Sequence, residues 1–282
     1  MAETLPLGSI VIPAFNEATV IGRTLNQLLT GLDPDAVEVV VACNGCTDTT
    51  VQVASDIRPP VTVLDLPAVG KVGAIRAAEL TARSLPRLYV DADVRMDGRS
   101  AVAVLTALRD GAIAARPPFR YDTTGASRLV QRFYRQRIRL PSVHAELCGA
   151  GVYGLSATAR ARFGEFPDVI ADDLFAARVV ERSEVTVVPC PPVAVAVPRD
   201  VRSLVRTLAR ANRGNRELFA RMPALAPPTT GSTVRQLVGS IAGPGHVLDA
   251  AVYAAIVTLA RLRALRPDSG WDRDETSRMA TT

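Results

Sequence analysis

Two pairs of acidic residues have a spacing that suits metal or proton-transfer chemistry. In VDADV, residues 90–94, Asp91 and Asp93 stand one residue apart at the end of an apolar run. Alternate side chains of a strand point to the same side, so the two carboxylates are predicted to lie together. Like charges at close range need a compensating cation, and carboxylates with phosphate oxygens suit Mg²⁺ or Mn²⁺. The alternative is a turn with solvated acids.

The second pair is Asp172 and Asp173 in VIADDLFAARV, residues 169–179. Acids at the start of a helix are favourable because they face the positive end of the helix dipole. Taken alone, the pair is explained as a helix cap. The functional alternative makes one of the two carboxylates a general base that takes a proton from an acceptor hydroxyl.

Three further segments bring polar or basic groups to predicted turns and helices. IPAFNE places Asn16 and Glu17 at a strand-to-helix turn, where Asn16 can cap the helix. AVGKVGAIRAAE brings Lys71 to a helix start, but it lacks the residue order of a P-loop. In RTLARANRG, Arg210 and Arg213 share a predicted helix face, which suits either a diphosphate or solvent.

The segment CNGCTD, residues 43–48, holds Cys43 and Cys46 at the spacing of a redox or metal pair. A thioredoxin-type pair needs a thiol of lowered pKa at a helix start. A zinc site needs further ligands, and Cys148 and Cys190 have no partner at this spacing. NGCTD is typical of a turn followed by a helix cap. We therefore interpret the pair as incidental.

Strand and helix patterns alternate through the first half of the chain, which predicts the α/β class with a Rossmann-like, mostly parallel sheet flanked by helices. Ligands of such sheets bind outside the carboxyl ends of the strands, where the polar segments above are expected. Arginine-rich helices follow Pro118, and a C-terminal helical extension is predicted from about Val234 to Leu265. The predicted domains are 1–222, with halves 1–116 and 117–222, and 223–282, which begins with a linker at 223–230.

Composition restricts the class of protein and its partners. With 282 residues, 48% of them hydrophobic, the chain needs no disulfide framework, and four cysteines suit a reducing cytosol. A net charge of +5, mostly arginine, favours a phosphate-rich ligand or an anionic membrane face and predicts no nucleic-acid partner. The first residues do not form a signal peptide pattern, and the apolar stretch 250–260 is too short to span a bilayer. We expect a cytoplasmic protein, with the inner face of the membrane as an open alternative.

The order of these segments resembles the family 2 glycosyltransferases of the GT-A fold. IPAFNE, CNGCTD, GK, DAD, the glycine-rich CGAG and ADDL follow one another between about Leu7 and Leu218. This ordered set is more specific than any single motif. The resemblance implies a metal-assisted, inverting transfer of a sugar from a nucleotide-diphosphate donor to the hydroxyl of a small molecule, a glycan or a lipid-linked acceptor.

The resemblance also implies roles for individual residues. ADDL resembles the family's EDxxL motif, which makes Asp173 the catalytic base and Asp172 its partner. DAD resembles the family's DxD motif, in which Asp93 and Asp91 would hold the metal. The acceptor side would include Gly149, Ala150 and Gly151. The residues implied to meet the donor are Pro13, Ala14, Glu17, Cys43, Asn44, Lys71, Asp91, Ala92, Asp93, Arg210 and Arg213.

Two departures from the family pattern bear on specificity. Thr207 and Ala211 stand at the Gln and Trp positions of the QxxRW motif of processive members, which predicts a non-processive enzyme. Cys43 stands where the family's DDGS loop has its first Asp, so the usual carboxylate contact to uracil is missing. This departure puts UDP in doubt and leaves GDP- and TDP-sugars open.

Two other functions stay open at this point. A nucleotidyltransferase also uses an α/β sheet with paired aspartates, although a glycine-rich basic loop would then replace IPAFNEA. A degenerate GT-A domain would bind a ligand without catalysis, which the intact Asp91, Asp93 and Asp173 disfavour. The C-terminal segment 246–266 is apolar and then basic. We expect it to pack on its own domain or on a second subunit, with a membrane interface as the alternative.

Overall fold

A computed structural model describes residues 6–59, 61–169, 171–227 and 231–266 of the chain, and the side chains of 231–234 are not described. Residues 228–230 of the predicted linker and the predicted tail after residue 266 lie outside the described part. The described residues form the strands β1 Gly8–Ala14, β2 Val37–Asn44, β3 Thr62–Leu66, β4 Arg87–Val90, β5 Ala114–Arg116, β6 Phe119–Asp122, β7 Val152–Leu155, β8 Val185–Val187 and β9 Val193–Ala196. The helices are α1 Ile21–Leu29, α2 Thr50–Ser55, α3 Gly70–Thr81, α4 Gly98–Arg109, α5 Arg128–Ile138, α6 Pro141–Ala145, α7 Ala157–Arg160, α8 Asp172–Val179, α9 Val201–Arg221, α10 Gly231–Gly239 and α11 Pro244–Ala264.

The main sheet has seven strands in the order β3-β2-β1-β4-β7-β5-β8, and β6 pairs with β9 in a second, two-stranded sheet. In the main sheet, β7 pairs antiparallel with β4 and β5, and the other pairs are parallel. The predicted mostly parallel sheet flanked by helices is thus confirmed. Because β2 and β3 lie on one side of β1 and β4 on the other, the connections reverse direction beside β1. A crevice that binds ligands forms at such a switch point in open α/β sheets.

The central strands form because their sequences are apolar on both faces. Every residue of β1 is buried, and β2 is buried except at Glu38, as expected for strands covered by helices on both sides. The core of the sheet packs Ile10, Ile12, Val39 and Val41 against α1 and α4. Rigid strands in this core fix the positions of the loops that follow their carboxyl ends.

Contacts divide the described chain into two compact units. Unit 1 comprises the described residues up to Arg120 together with Leu147–Val195, and it contains the main sheet. Unit 2 comprises Tyr121–Glu146 and the described residues from Ala196 onward. This division follows spatial contacts and differs from the sequence-based boundaries at 116/117 and 222/223, which stay a prediction.

Unit 2 is helical and has its own core. Phe133 of α5 stacks on Tyr253 of α11, with ring centroids 5.0 Å apart. Asp249 of α11 is only 3% exposed. Arg132 and Arg135 of α5 and Arg139, which directly follows α5, lie within ion-pair distance of its carboxylate, at 3.1–3.3 Å. Three arginines on and directly after α5 therefore neutralise the single acid of α11. In the described ranges, no helix is both long enough and apolar enough to cross a bilayer.

Candidate active site

The acidic segments meet at the carboxyl end of the sheet in unit 1. The register of β1 with β4 pairs Val11 with Tyr89, and Asp91 directly follows the last residue of β4. Asp172 and Asp173 open α8, as the sequence predicted. Lys71 lies in the first turn of α3. The polar residues are thus gathered at the end of the sheet where α/β proteins bind ligands.

A single ammonium group joins two of the predicted motifs. Lys71 is the only lysine of the sequence. Its Nζ lies 2.9 Å from Oδ1 of Asp91 and 2.9 Å from Oδ1 of Asp172. Burial disfavours the charged form of Lys71, but the carboxylates of Asp172 and Asp91 outweigh burial and raise its pKa well above the usual value. Lys71 therefore stays charged and holds the carboxylates of DAD and ADDL together.

Asp172 and Asp173 differ in environment although they are adjacent. Asp172 is buried, and its carboxylate is held by Lys71 and by the hydroxyl of Tyr153, which donates to Oδ2 at 3.3 Å. Asp173 is half-buried, and its Oδ1 accepts from the backbone N–H of Leu174 at 2.7 Å. Burial, followed by the charge of Asp172, raises the pKa of Asp173 to about 6. A carboxylate with such a pKa is suited to accept a proton near neutral pH.

The glycine-rich CGAG segment packs directly against the DAD turn. The backbone N–H of Asp91 donates to the carbonyl of Gly151 at 2.8 Å. Gly151 has a φ of +67°, and a Cβ added there would lie 2.6 Å from Val94 and 3.1 Å from Oδ2 of Asp91. Ala150 is fully buried, whereas a Cβ at Gly149 would meet open space. The segment thus needs glycine at position 151 because the backbone passes so close to Asp91.

The loops after β1 and β2 are tied to each other. The backbone N–H of Thr47 donates to Oδ1 of Asn16 at 2.8 Å, and the backbone N–H of Glu17 donates to the hydroxyl of Thr50 at 2.7 Å. The predicted cap of α1 by Asn16 is wrong, because α1 begins only at Ile21 and Asn16, with a φ of +51°, bonds to the neighbouring loop. Of the other predicted donor-side residues of this strand, Pro13 and Ala14 end β1 in buried positions. Glu17 is also buried.

Asn44 supports the helix that carries Lys71. Its Oδ1 accepts from the backbone N–H of Val69 at 2.7 Å, directly before α3. The next residue, Gly45, has a φ of +57°, and a Cβ there would lie 2.8 Å from Ala68. The loop after β2 therefore fixes the start of α3, and this contact gives Asn44 a structural role in the site.

Cys43 lies in the core of unit 1. Its side chain has no exposed surface, and its neighbours include the apolar residues of the main core. Burial, followed by interactions with Cys46, raises the pKa of the Cys43 thiol to about 12. All four cysteines are free thiols, and the interpretation of the CxxC spacing as incidental stays a prediction. A side chain without exposed surface does not touch a ligand, so this arrangement gives no support to the predicted contact of Cys43 with a base.

The acids at the end of β4 differ in accessibility. Ala92 is buried, whereas Asp91 and Asp93 are both half-buried. Within the ranges described, no group of three or more His, Cys, Asp or Glu side chains could hold a metal ion by itself. Mg²⁺, however, is commonly bound by one or two carboxylates, and water and substrate phosphates complete its coordination shell. The two half-exposed carboxylates of DAD fit that kind of shared site and do not fit a cage built from protein ligands alone.

Arg210 and Arg213 both lie on α9, which belongs to unit 2. Arg210 is exposed, and Arg213 is half-buried. The residues that the structure brings together in unit 1 are Lys71, Asp91, Gly151, Asp172 and Asp173.

Tyr153 is the site residue that sequence reasoning missed. It lies in β7, and its ring stacks on Tyr89 with centroids 4.7 Å apart. Burial, followed by the charge of Asp172, raises the pKa of Tyr153 well above the usual value, so its hydroxyl stays protonated and donates to Asp172. The available signal was a tyrosine within a short buried strand, because the hydroxyl of a buried tyrosine usually finds a partner.

Comparisons with known proteins bear on the family and the fold of this chain. A family model described as "Glycosyl transferase family 2" matches residues 9–160. No curated protein sequence matches the chain. Among solved structures, the chain is similar to the "Mannosyltransferase PcManGT from Pyrobaculum calidifontis in complex with GDP-Man and Mn2+". The two share 18% identity over 93% of this chain and 87% of that one, with a TM-score of 0.64.

Two further solved structures have the same fold. Glucosyl-3-phosphoglycerate synthase from Mycobacterium tuberculosis, in complex with Mn²⁺, UDP and glucosyl-3-phosphoglycerate, is 18% identical with a TM-score of 0.53, over 79% of this chain and 81% of that one. Mannosyl-3-phosphoglycerate synthase from Rubrobacter xylanophilus is 18% identical with a TM-score of 0.52, over 79% of this chain and 77% of that one. At these identities the likeness concerns the fold, and it confirms the predicted GT-A architecture.

Proposed function

Because the chain belongs to glycosyl transferase family 2, we propose that it moves a sugar from a nucleotide-diphosphate donor to an acceptor hydroxyl with inversion at the anomeric carbon. The observation that carries this proposal is the cluster in which Lys71 joins Asp91 to Asp172 beside Asp173. Two similar structures contain a nucleotide-sugar or nucleotide together with Mn²⁺, which supports a nucleotide-diphosphate sugar as the donor. Four free cysteines support a cytoplasmic location.

Asp173 is proposed as the general base because its environment favours proton uptake near neutral pH. The acceptor oxygen attacks the anomeric carbon while its proton passes to the carboxylate of Asp173. The bond between the anomeric carbon and the diphosphate oxygen breaks, and the nucleoside diphosphate leaves with the bonding electrons. One displacement of this kind inverts the configuration. Asp172 is proposed to act only by positioning its neighbours, because its carboxylate is already bound by the ammonium of Lys71 and the hydroxyl of Tyr153.

Asp93 and Asp91 are proposed to hold a divalent cation, Mg²⁺ or Mn²⁺, together with the diphosphate. When bound, the cation would neutralise charge on the leaving diphosphate. Pro13, Ala14, Glu17 and Ala92 are proposed to line the donor pocket. Asn44 is proposed to shape this pocket by holding the start of α3, and Arg210 and Arg213 to bind phosphate. Gly149, Ala150 and Gly151 are proposed to face the acceptor. The donor is proposed to carry GDP, TDP or UDP as its nucleotide.

Incubation with a panel of nucleotide sugars tests the activity, because slow hydrolysis uses water as the acceptor hydroxyl. The expected result is release of a nucleoside diphosphate from one class of donor. Asp173→Asn should lower the rate on the order of 10²- to 10⁴-fold with the donor affinity unchanged. Asp110→Asn changes an exposed acid elsewhere in unit 1 and serves as the matched control. Full turnover by Asp173→Asn would contradict the assignment of the base.

The same panel separates the alternatives. A nucleotidyltransferase would consume a nucleoside triphosphate with a sugar phosphate and release pyrophosphate. A degenerate binding domain would bind a nucleotide sugar and leave it intact.

Calorimetry with and without Mn²⁺ tests the metal site, since Asp93→Ala should remove the metal-dependent part of donor binding. If Mn²⁺ raised the donor affinity of the wild type and of Asp93→Ala by the same factor, the role of Asp93 would be refuted.

A further inference from the structure

Helix α11 of unit 2 is apolar on two opposite faces. The inner face carries Tyr253, Ile256, Ala260 and Ala264, which are buried in unit 2. The opposite side is exposed, and we call it the outer face of α11; its members include Val247, Leu248, Ala251, Ala255, Leu259 and Leu262. Their spacing follows one side of a helix along most of its 21 residues. A contiguous exposed apolar surface of this kind marks a site of interaction.

The exposed charged groups of α11 itself have one sign. Between residues 244 and 266, all of which are described, the only acid is Asp249, which is buried and neutralised by Arg132 and Arg135 of α5 and by Arg139 directly after it. Arg261, Arg263 and Arg266 are exposed at the C-terminal end of the helix. The exposed part of α11 therefore combines apolar side chains with cations and lacks exposed acids.

The two units differ strongly in charge. The described residues of unit 2 hold 16 arginines and 5 acids, which gives +11. The described residues of unit 1 hold 14 arginines, 1 lysine and 18 acids, which gives −3. The modest net charge of the whole chain thus hides a strongly basic unit. Unit 2 will attract anionic surfaces through a field that salt screens.

We infer that unit 2 docks on a membrane surface that contains anionic phospholipid, with the outer face of α11 inserted at the level of the headgroups. A lipid interface satisfies both halves of the observation, because apolar side chains enter the acyl boundary and arginines remain among the phosphates. A second copy of the chain would bring two units of +11 together. Nucleic acid would use the charge, but the leucine and alanine side chains of the face offer neither stacking nor hydrogen bonds.

Sedimentation with vesicles tests this inference on the full chain. Vesicles of phosphatidylglycerol and phosphatidylcholine should bind the protein at low salt, vesicles of phosphatidylcholine alone should bind it weakly, and high salt should reduce the binding. Arg261→Gln combined with Arg266→Gln should weaken binding to the anionic vesicles roughly 30-fold, since each arginine near the surface contributes about fivefold. Leu259→Gln combined with Leu262→Gln should weaken it on the order of tenfold or more.

Matched controls come from unit 1. Leu80 is 89% exposed on α3, and Arg109 is exposed at the end of α4, so Leu80→Gln and Arg109→Gln repeat both chemical changes away from α11. Neither control should alter vesicle binding. Circular dichroism checks that each variant is folded. Equal binding to neutral and anionic vesicles, or no binding to either, would overturn the inference.

Two other outcomes would also overturn it. Light scattering that shows a dimer which the leucine pair of substitutions dissociates, without vesicle binding by either form, would assign the outer face to a second copy. Tight binding to a single-stranded oligonucleotide at physiological salt, with no vesicle binding, would assign the charge of unit 2 to nucleic acid.

Discussion

The ammonium of Lys71 lies 2.9 Å from the carboxylate of Asp172, although the two residues are 101 positions apart in the chain. The same nitrogen lies 2.9 Å from Asp91. Three carboxylates, those of Asp91, Asp172 and Asp173, thus share one counter-charge. The ion pairs of Lys71 therefore hold Asp91 and Asp172 of the proposed active site in place before any ligand is bound.

Replacing Lys71 with Met should disturb the site more than the fold. Among the described residues, Asp172 would keep only the hydroxyl of Tyr153 as a partner, and the two aspartates of α8 would repel each other without compensation. We expect the turnover rate to fall on the order of 10²-fold because a misplaced catalytic group is costly. The free energy of unfolding, measured with urea, should fall by about 1–2 kcal/mol, since the side chain of Lys71 is 38% exposed and the ion pair is partly screened.

The matched control for Lys71→Met is Arg109→Met, which removes an exposed cation from the same unit. It should leave both turnover and stability within experimental error. If Lys71→Met turned over donor at the wild-type rate, Lys71 would be a surface cation without influence on Asp172 and Asp173.

Tyr153→Phe removes one hydroxyl and keeps the ring that stacks on Tyr89. The carboxylate of Asp172 should then be less well oriented, and we expect kcat to fall roughly tenfold with KM unchanged, as for a hydrogen bond to a charged group. Tyr89→Phe removes a hydroxyl from the other ring of the same stack, where it donates to Glu79 at 2.6 Å. This control should cost about 1–2 kcal/mol of stability and leave kcat unchanged. Equal losses of kcat in both variants would indicate a structural effect.

The rate of transfer should depend on the protonation of Asp173. Its pKa is raised to about 6 by burial and by Asp172, and only the deprotonated carboxylate accepts a proton. Activity should therefore be lost as the pH falls through about 6, roughly tenfold per unit below it, and reach a plateau above. Steady-state rates at saturating donor between pH 5 and 8 measure the profile. A flat profile would mean that Asp173 does not take the proton in the rate-limiting step.

Cys43 should tolerate small apolar residues and reject charged ones. Cys43→Ala leaves a small cavity in the core and should cost about 1 kcal/mol, with the order of affinity for different nucleotides unchanged. Cys43→Asp would bury a carboxylate among apolar side chains and should cost several kcal/mol. Urea denaturation and nucleotide titration give both quantities. A change of base preference in stable Cys43→Ala would show that this position reads the base after all.

Several parts of the fold and of the candidate site were predictable from local sequence. The apolar runs of β1 and β2 predict buried strands, and the two acids at the start of α8 predict a helix N-terminus. Asn16 shows the limit of such reasoning. A polar residue at a turn satisfies the local rule for a helix cap, yet its side chain bonds to Thr47 on a loop thirty-one residues away.

The sequence by itself determined the family, the α/β class and the order of the acidic motifs, because periodicity and motif spacing are properties of neighbouring residues. Only the tertiary structure decided that Lys71 lies between Asp91 and Asp172, that Tyr153 supports Asp172, and that Cys43 is enclosed in the core. These relationships depend on strand order and register, which bring together residues that lie far apart in the chain. Burial then set the chemistry, since the same aspartate has a different proton affinity in water and beside a second carboxylate.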